Sequence, residues 1–397
     1  MQKEAREAYN QSFTENKYQE FLKAFEVDFP GQLDFRIAET PVFIPAELKN
    51  KIIQASGEII DSLLSPDFKE KTDRAVPENE SVPNENAHTS FLAIDFAVCR
   101  NESGELHPQL IELQGFPSIF GYQAYLSELF RKYFDIPADF HYCFGADSYE
   151  EYVNKLRSLI VAGDNPEQVI LLEIFPEKQK TRIDFAITEQ MLGVKAVCYT
   201  KLIREGRKLY YEDNGRKIQV KRIYNRLIFD DLKKYSGLET SYHFTDDVDV
   251  KWVGHPNWFY RISKFALPFL KSSFVPKTDF VSNFNGHYPA DLENYVLKPL
   301  FSFAGSGVQL HVSEELLKTI PDPENYILQR KVNYEPVIQA PDGLVKCEIR
   351  MMYGWNDSAE KPELLISLSR LSRGEMIGVD YNKNFTWVGG SATFFEK

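Results

Sequence analysis

Cysteine is scarce and scattered. Cys99, Cys143, Cys198 and Cys347 are the whole complement of a 397-residue chain. They form no CxxC pair and no Cys/His cluster, which argues against a disulfide framework and a zinc site. Positive charge is also short: 46 lysines and arginines face 58 aspartates and glutamates, a net charge of −12. A field of that sign repels phosphate backbones, so nucleic acid is not an expected partner. No stretch approaches the ~20 apolar residues that a membrane helix needs. The opening MQKEAREAYNQ is polar and has no secretory hydrophobic region. The expectation is a soluble, cytoplasmic protein. No Ser/His/Asp or Cys/His constellation stands out, so a protein nucleophile is not expected. No internal repeat is visible, and nothing bears on oligomeric state.

What is there is core-forming material. Hydrophobic residues are 43% of the chain and aromatics 14%, enough for packed interiors. The length predicts two or three domains. Aromatics at this frequency are chiefly core residues, although a carbohydrate- or partner-binding surface is a further reading. Residues 1–64 have mainly helical spacing, with Leu48, Ile52, Ile59, Ile60 and Leu63 on one stripe. Residues 65–90 are polar and proline-punctuated, the mark of a long loop. FLAIDFAVC (91–99) and QLIELQG (109–115) read as an antiparallel strand pair. Helical spacing returns in IFGYQAYLSELFRKYF and SYEEYVNKLRSLIVAG. QVILLEIFP (168–176) is the continuous apolar run of a strand covered on both faces. Asp213-Asn214-Gly215 suits a hairpin turn. Residues 145–250 thus read as an α/β unit. A helix over 257–274 and a series of strands, among them YVLKPLF, GVQLHV and YILQRKV, follow.

Charges fall inside several of these strands. Side chains alternate across a strand. Asp95 therefore shares a face with Phe91, Ala93, Ala97 and Cys99, and Leu110, Glu112 and Gln114 share a face of the next strand. Converging carboxylates need a cation or a proton between them. Oxygen ligands of this kind suit magnesium; a half-wet sheet face gives the same pattern. Val296 and Lys298 share a face, as do Glu348, Arg350 and Met352, while Gln329 and Arg370 lie mid-strand. Charges in successive strands suggest a sheet lining an anion cleft, where arginine and lysine neutralise phosphate oxygens. The turn AGSGV could offer backbone N–H groups to phosphates, or be an ordinary hairpin turn. It is neither a Walker loop, since no GK[ST] follows, nor a complete GxGxxG fingerprint.

The order HPNWFYRISKFALPFL, YVLKPLFSFAGSGVQL, YILQRKV resembles the ATP-grasp half of glutathionylspermidine synthetase-like proteins. The upstream IDFAVCRNESGELHPQLIELQGFPS resembles that family's metal segment. The resemblance covers roughly residues 90–397. It implies a circularly permuted ATP-grasp fold of the α+β and α/β class with an inserted α/β, pre-ATP-grasp-like domain. The implied division is a helical segment and loop (1–90), a metal-binding strand pair and helix (91–144), the insert (145–255), and the ATP-grasp core with its flap (256–397). Lys264 and Lys298 would contact nucleotide phosphates, Gly305, Ser306 and Gly307 would form the flap, and Gln329 would lie at the adenine. Asp95, Glu112 and Gln114 would hold Mg2+. Arg350 and Arg370, added from strand position and a looser likeness, would be catalytic. Gln114 stands where the family has Asn, and Ala93 where it often has Arg. The implied activity is an ATP- and Mg2+-dependent carboxylate–amine ligase passing through an acyl phosphate, its partners a small-molecule or peptide carboxylate and an amine. The alternative is a nucleotide-binding protein without ligase activity.

Overall fold

A strand whose two faces are both covered is mostly apolar, and Phe91–Arg100 is so except at Asp95 and the terminal Arg100. Every residue but Arg100 is buried, Asp95 included. In the computed structural model, which describes residues 1–301, 307–374, 377 and 382–397, this strand lies inside an eight-stranded sheet. Leu106–Gln114 flanks it on one side and Gly343–Gly354 on the other, both antiparallel. Beyond Gly343–Gly354 come Glu363–Ser372, Gly389–Glu396 and, parallel to the last, Val42–Ile44. The helices Lys3–Ser12, Glu15–Asp28 and Ala46–Leu63 bear out the helical reading of the first 64 residues.

The expected pairing of 91–99 with 109–115 is present, with one correction. The register shifts beside Asp95: Asp95 faces Glu112, but Phe96 faces Leu110. Ile111 is the extra, bulged residue. Leu110 therefore lies on the apolar face with Phe96 and Leu113, not beside Glu112. Strict alternation cannot anticipate this, because a bulge inserts one residue and reverses the faces beyond it.

The α/β reading of the middle of the chain holds. Val169–Glu173 is buried throughout and pairs in parallel with Lys195–Cys198 and Arg222–Asn225. Lys251–Val253 completes the sheet. Helix Arg182–Leu192 ends at Gly193, whose φ of +73° closes the helix in a conformation that disfavours other residues. The Asp213-Asn214-Gly215 hairpin forms between Lys208–Asp213 and Arg216–Val220, with positive φ at Asn214 and Gly215 as its turn requires.

A third, small sheet sets Tyr326–Arg330 between Thr278–Phe280 and Tyr295–Pro299. Two expectations fail around it. The helix expected over 257–274 is two short pieces, α-helical Pro256–Arg261 and 3-10 Lys264–Phe269. Ser263 caps the second piece and Pro268 lies within it, so one continuous helix cannot form. GVQLHV is not a strand; Gln309 makes a single bridge to Leu297. Among the described residues no helix is long and apolar enough to cross a membrane, and all four cysteines are free.

Candidate functional site

Asp95 is 1% exposed, and the strand beside it supplies the compensating charge. Arg350 is its direct cross-strand neighbour. The Arg350 guanidinium grips Asp95 with two parallel bonds, Nε to Oδ1 and Nη2 to Oδ2, each 2.6 Å. Arg370, one strand further, donates to Asp95 Oδ2 at 2.6 Å and also to Glu348, its own cross-strand partner. The other Glu348 oxygen accepts from Tyr334 Oη at 2.7 Å. Burial pushes the Asp95 carboxyl up, but Arg350 and Arg370 outweigh it and hold it below the usual range. Burial wins at Glu348, which is raised.

Glu112 faces Asp95 across the strand pair. It accepts from Gln114 Nε2 at 3.0 Å, and Arg350 Nη2 lies 3.8 Å away. The small sheet closes over this edge. Lys298 and Gln329 share a face as diagonal neighbours, since Val296 is opposite Gln329. Lys298 Nζ bonds Gln329 Oε1 at 2.5 Å and reaches the carbonyl of the bulged Ile111 at 3.4 Å. Burial lowers the Lys298 ammonium to about 8; Glu112 pulls it up and Lys264 pushes it further down. Lys264 is likewise lowered by burial and is not the surface-helix lysine that amphipathic spacing would also allow.

Gly115 makes this approach possible. A Cβ there would sit 2.6 Å from the Trp258 carbonyl oxygen and 2.8 Å from Ile262 Cβ. The turn leading to Lys264 is thereby pressed against the end of the Glu112 strand, and Gly115 N donates to the Ile262 carbonyl at 2.8 Å. A cavity of about 480 Å³ beyond that turn, with Trp258, Ile262, His88 and Trp355 in its wall, contains none of the cleft's charged residues.

The structure thus gathers Asp95, Glu112, Gln114, Lys264, Lys298, Gln329, Arg350 and Arg370 into one polar cluster. Gly307 is nearby, at φ +73°, with the Pro299 ring 3.0 Å from where a Cβ would be. Gly305 and Ser306 lie outside the described residues. Glu348 and Tyr334 were missed as site residues. Glu348 was legible as the acid two positions from Arg350, whereas Tyr334 lies in a segment without strand pattern and gave no signal. Gln329 Nε2 and Arg370 Nε are buried donors without a partner among the described residues. Buried donors left open in this way mark a place for an acceptor.

The donor chemistry of Asp95, Glu112 and Gln114 is that of a magnesium site, but the arrangement is not. Both Asp95 oxygens are occupied by guanidinium. Among the described residues no group of three or more acidic, histidine or cysteine side chains is placed to hold a metal ion.

A second polar centre adjoins the cleft. In the parallel sheet the chain runs outward from Val169–Glu173 to Lys195–Cys198, then returns to the other side at Arg222–Asn225. Ligands of open α/β sheets bind at such reversals, beyond the strands' carboxyl ends. Glu173 stands there, 4% exposed and raised by burial to about 8. Phe175, two residues on, has a φ of +45°, rare for a residue other than glycine. Arg226 pairs with buried Asp184. Ser118 links the two centres: its Oγ accepts from Arg350 Nη1 at 3.1 Å, and its carbonyl lies 3.5 Å from Arg226 Nη1.

No family model matches the sequence, and no curated protein does. Solved structures do share the architecture. One is the apo form of a glutathione synthetase-like effector (GSS30) from Globodera pallida, with a TM-score of 0.61 over 98% of each chain at 12% sequence identity. At that identity the likeness carries the fold alone: the chain has a glutathione synthetase-like fold of mixed α and β structure.

Proposed function

We propose that the cleft binds the polyphosphate of ATP and serves carboxylate–amine ligation. One observation carries this reading: Lys264, Lys298 and Arg370, from three separate elements, belong to one buried polar cluster with open donors at Gln329 Nε2 and Arg370 Nε. In the reaction, a substrate carboxylate oxygen attacks the γ-phosphorus, and ADP leaves. The amine then attacks the acyl carbon, loses a proton and expels phosphate. The chain's part is placement and charge compensation. Lys298 and Lys264 neutralise phosphate oxygens, and Arg370 offers its open N–H. The crevice at Glu173 and Arg226 is the proposed seat of the second substrate, with Ser118 connecting it to Arg350. Near neutral pH the Glu173 carboxyl is largely protonated, so it donates a hydrogen bond there. No step is assigned to a magnesium ion, because the arginines already occupy Asp95.

The test is ADP formation with a panel of amino acids, short peptides and polyamines, in wild type and Lys298→Ala. Wild-type turnover, abolished in a folded variant, is the expected result; unchanged turnover in the variant discredits the assignment. Nucleotide affinity should also decline as pH rises from 7 to 9, because Lys298 loses its proton near 8. A flat profile by calorimetry would remove Lys298 from the phosphate site.

A second reading is nucleotide binding without ligation. The guanidinium clamp on Asp95 favours it, together with Ala93 and Gln114 at positions where the resembling family has Arg and Asn. ATP binding with no ADP formed on any substrate pair would select it.

A further inference from the structure

We propose that this cleft takes up its nucleoside triphosphate without a divalent metal ion, Arg350 and Arg370 supplying the charge compensation that an ion would bring. The inference rests on the nucleotide reading of the cleft and deepens it.

The argument begins with what a metal ion does among acids. It neutralises converging carboxylates and bridges them to phosphate oxygens. Here the first task is complete. Asp95 accepts three guanidinium bonds of 2.6 Å. Glu348 is held by Arg370 and by the Tyr334 hydroxyl. Only Glu112 keeps partial exposure, and its Oε1 is engaged by Gln114. Lys264, Lys298, Arg350 and Arg370 thus face Asp95, Glu112, Glu348 and, at Lys264, Asp230, so each acid already has a protein cation beside it. A divalent cation entering such a set finds no unbalanced acid to neutralise. Breaking a buried, bidentate arginine–carboxylate pair to admit the ion is costly as well. A polyanion meets the opposite situation, with open N–H groups at Arg370 and Gln329.

The two roles for Asp95 make opposite predictions. As a metal ligand, Asp95 strengthens nucleotide binding when the ion is present. As a counter-ion of arginine, it weakens binding, because it offsets charge that would act on phosphate. Titration calorimetry of the full chain with ATP, in excess EDTA and in excess MgCl2, reads the first difference. Weaker apparent affinity in MgCl2 than in EDTA is expected, because the ion withdraws free ATP; equal or tighter binding with magnesium overturns the inference and leaves the nucleotide reading intact. Absence of binding in both buffers overturns the nucleotide reading itself, and the inference with it. Asp95→Asn, checked for folding by circular dichroism, should bind ATP several-fold more tightly in EDTA. Weaker binding confined to the magnesium buffer would establish Asp95 as a ligand and overturn the proposal. Should that variant not fold, electron paramagnetic resonance of Mn2+ added alone to the wild type decides. An undiminished free-ion signal is expected, and stoichiometric capture of the ion overturns the proposal.

Discussion

Asp95 in the large sheet and Glu173 in the parallel sheet are equally inaccessible, at 1% and 4% exposed. Asp184, between them in environment, is 0% exposed. Their acidities nevertheless diverge. Asp95 touches two guanidinium groups and is held below the usual carboxylate range. Asp184 has one guanidinium partner, Arg226, and the N–H of Tyr122 at 2.9 Å, and burial lifts it despite both. Glu173 has no arginine bond, only the N–H of Ile174 at 2.8 Å, and burial takes it to about 8. Burial pushes all three up; the one with two guanidinium groups within bonding distance is the one that keeps its charge. Asp95 in the large sheet therefore keeps its charge, and Glu173 in the parallel sheet holds a proton.

The largest effect should come from removing a clamp. Arg350→Met deletes the bidentate partner of Asp95 and leaves a buried acid with Arg370 alone. The expected loss is about 3–5 kcal/mol of unfolding free energy, the usual result of stranding a buried charge. Denaturant unfolding at pH 7 measures it. Asp95→Asn combined with Arg350→Met should recover part of the loss. A double variant no more stable than Arg350→Met would mean that Arg350 acts by packing, and the charge argument would fail.

Glu173→Gln tests the other region through pH. The folded-state value is raised from 4.5 to about 8. The stability Glu173 contributes is therefore fully present below about 4.5 and is lost as pH rises through about 8. Wild type should weaken across this window, whereas the variant, which keeps Oε1 for the Ile174 N–H, should not. Above pH 8 the variant should be the more stable of the two. Asp95 has the reverse sign: its stabilisation is present above the ordinary carboxylate range and fades as pH falls. Parallel pH profiles of wild type and Glu173→Gln would place the raised acid elsewhere.

Gly115→Ala probes the joint between the Glu112 strand and the turn that leads to Lys264. The added methyl meets the Trp258 carbonyl at 2.6 Å, backbone that cannot rotate away. A loss of about 1–3 kcal/mol is expected, with weaker ATP binding, because the turn carrying Lys264 must shift. Full stability in the variant would show that the turn has room the geometry denies it.

Much of this was legible in the residues and some was not. The charged positions Asp95, Lys298 and Arg370 and the polar Gln329, all inside apolar strands, were visible because alternation makes a mid-strand polar residue conspicuous. That Lys298 and Glu112 lie close together was carried by family likeness, since nothing local joins residues so far apart. The guanidinium clamp was not legible. It depends on which strand lies beside Phe91–Arg100, and that neighbour, Gly343–Gly354, comes some 250 positions later. The bulge at Ile111 was hidden for a related reason: it appears only when both strands are laid side by side. The break at Ser263 escaped because apolar spacing alone does not distinguish one helix from two short turns.

The smallest effect is the control for the whole comparison. Arg207 also holds two carboxylates, Asp249 at 2.8 Å and Asp247. The count of partners is that of Arg370, but these groups are in water, with side chains about half exposed. Solvent screens the attraction, and ordering long side chains consumes most of what remains. Arg207→Ala should leave the unfolding midpoint where it was at ordinary ionic strength, and raising the salt from 0.05 to about 0.5 M should erase any residual difference. Arg350→Met should be nearly indifferent to the same change, because its charges lie where salt does not reach. Equal salt sensitivity in the two variants would mean that water penetrates the Asp95 clamp, and partner number would then no longer account for the divergence between Asp95 and Glu173.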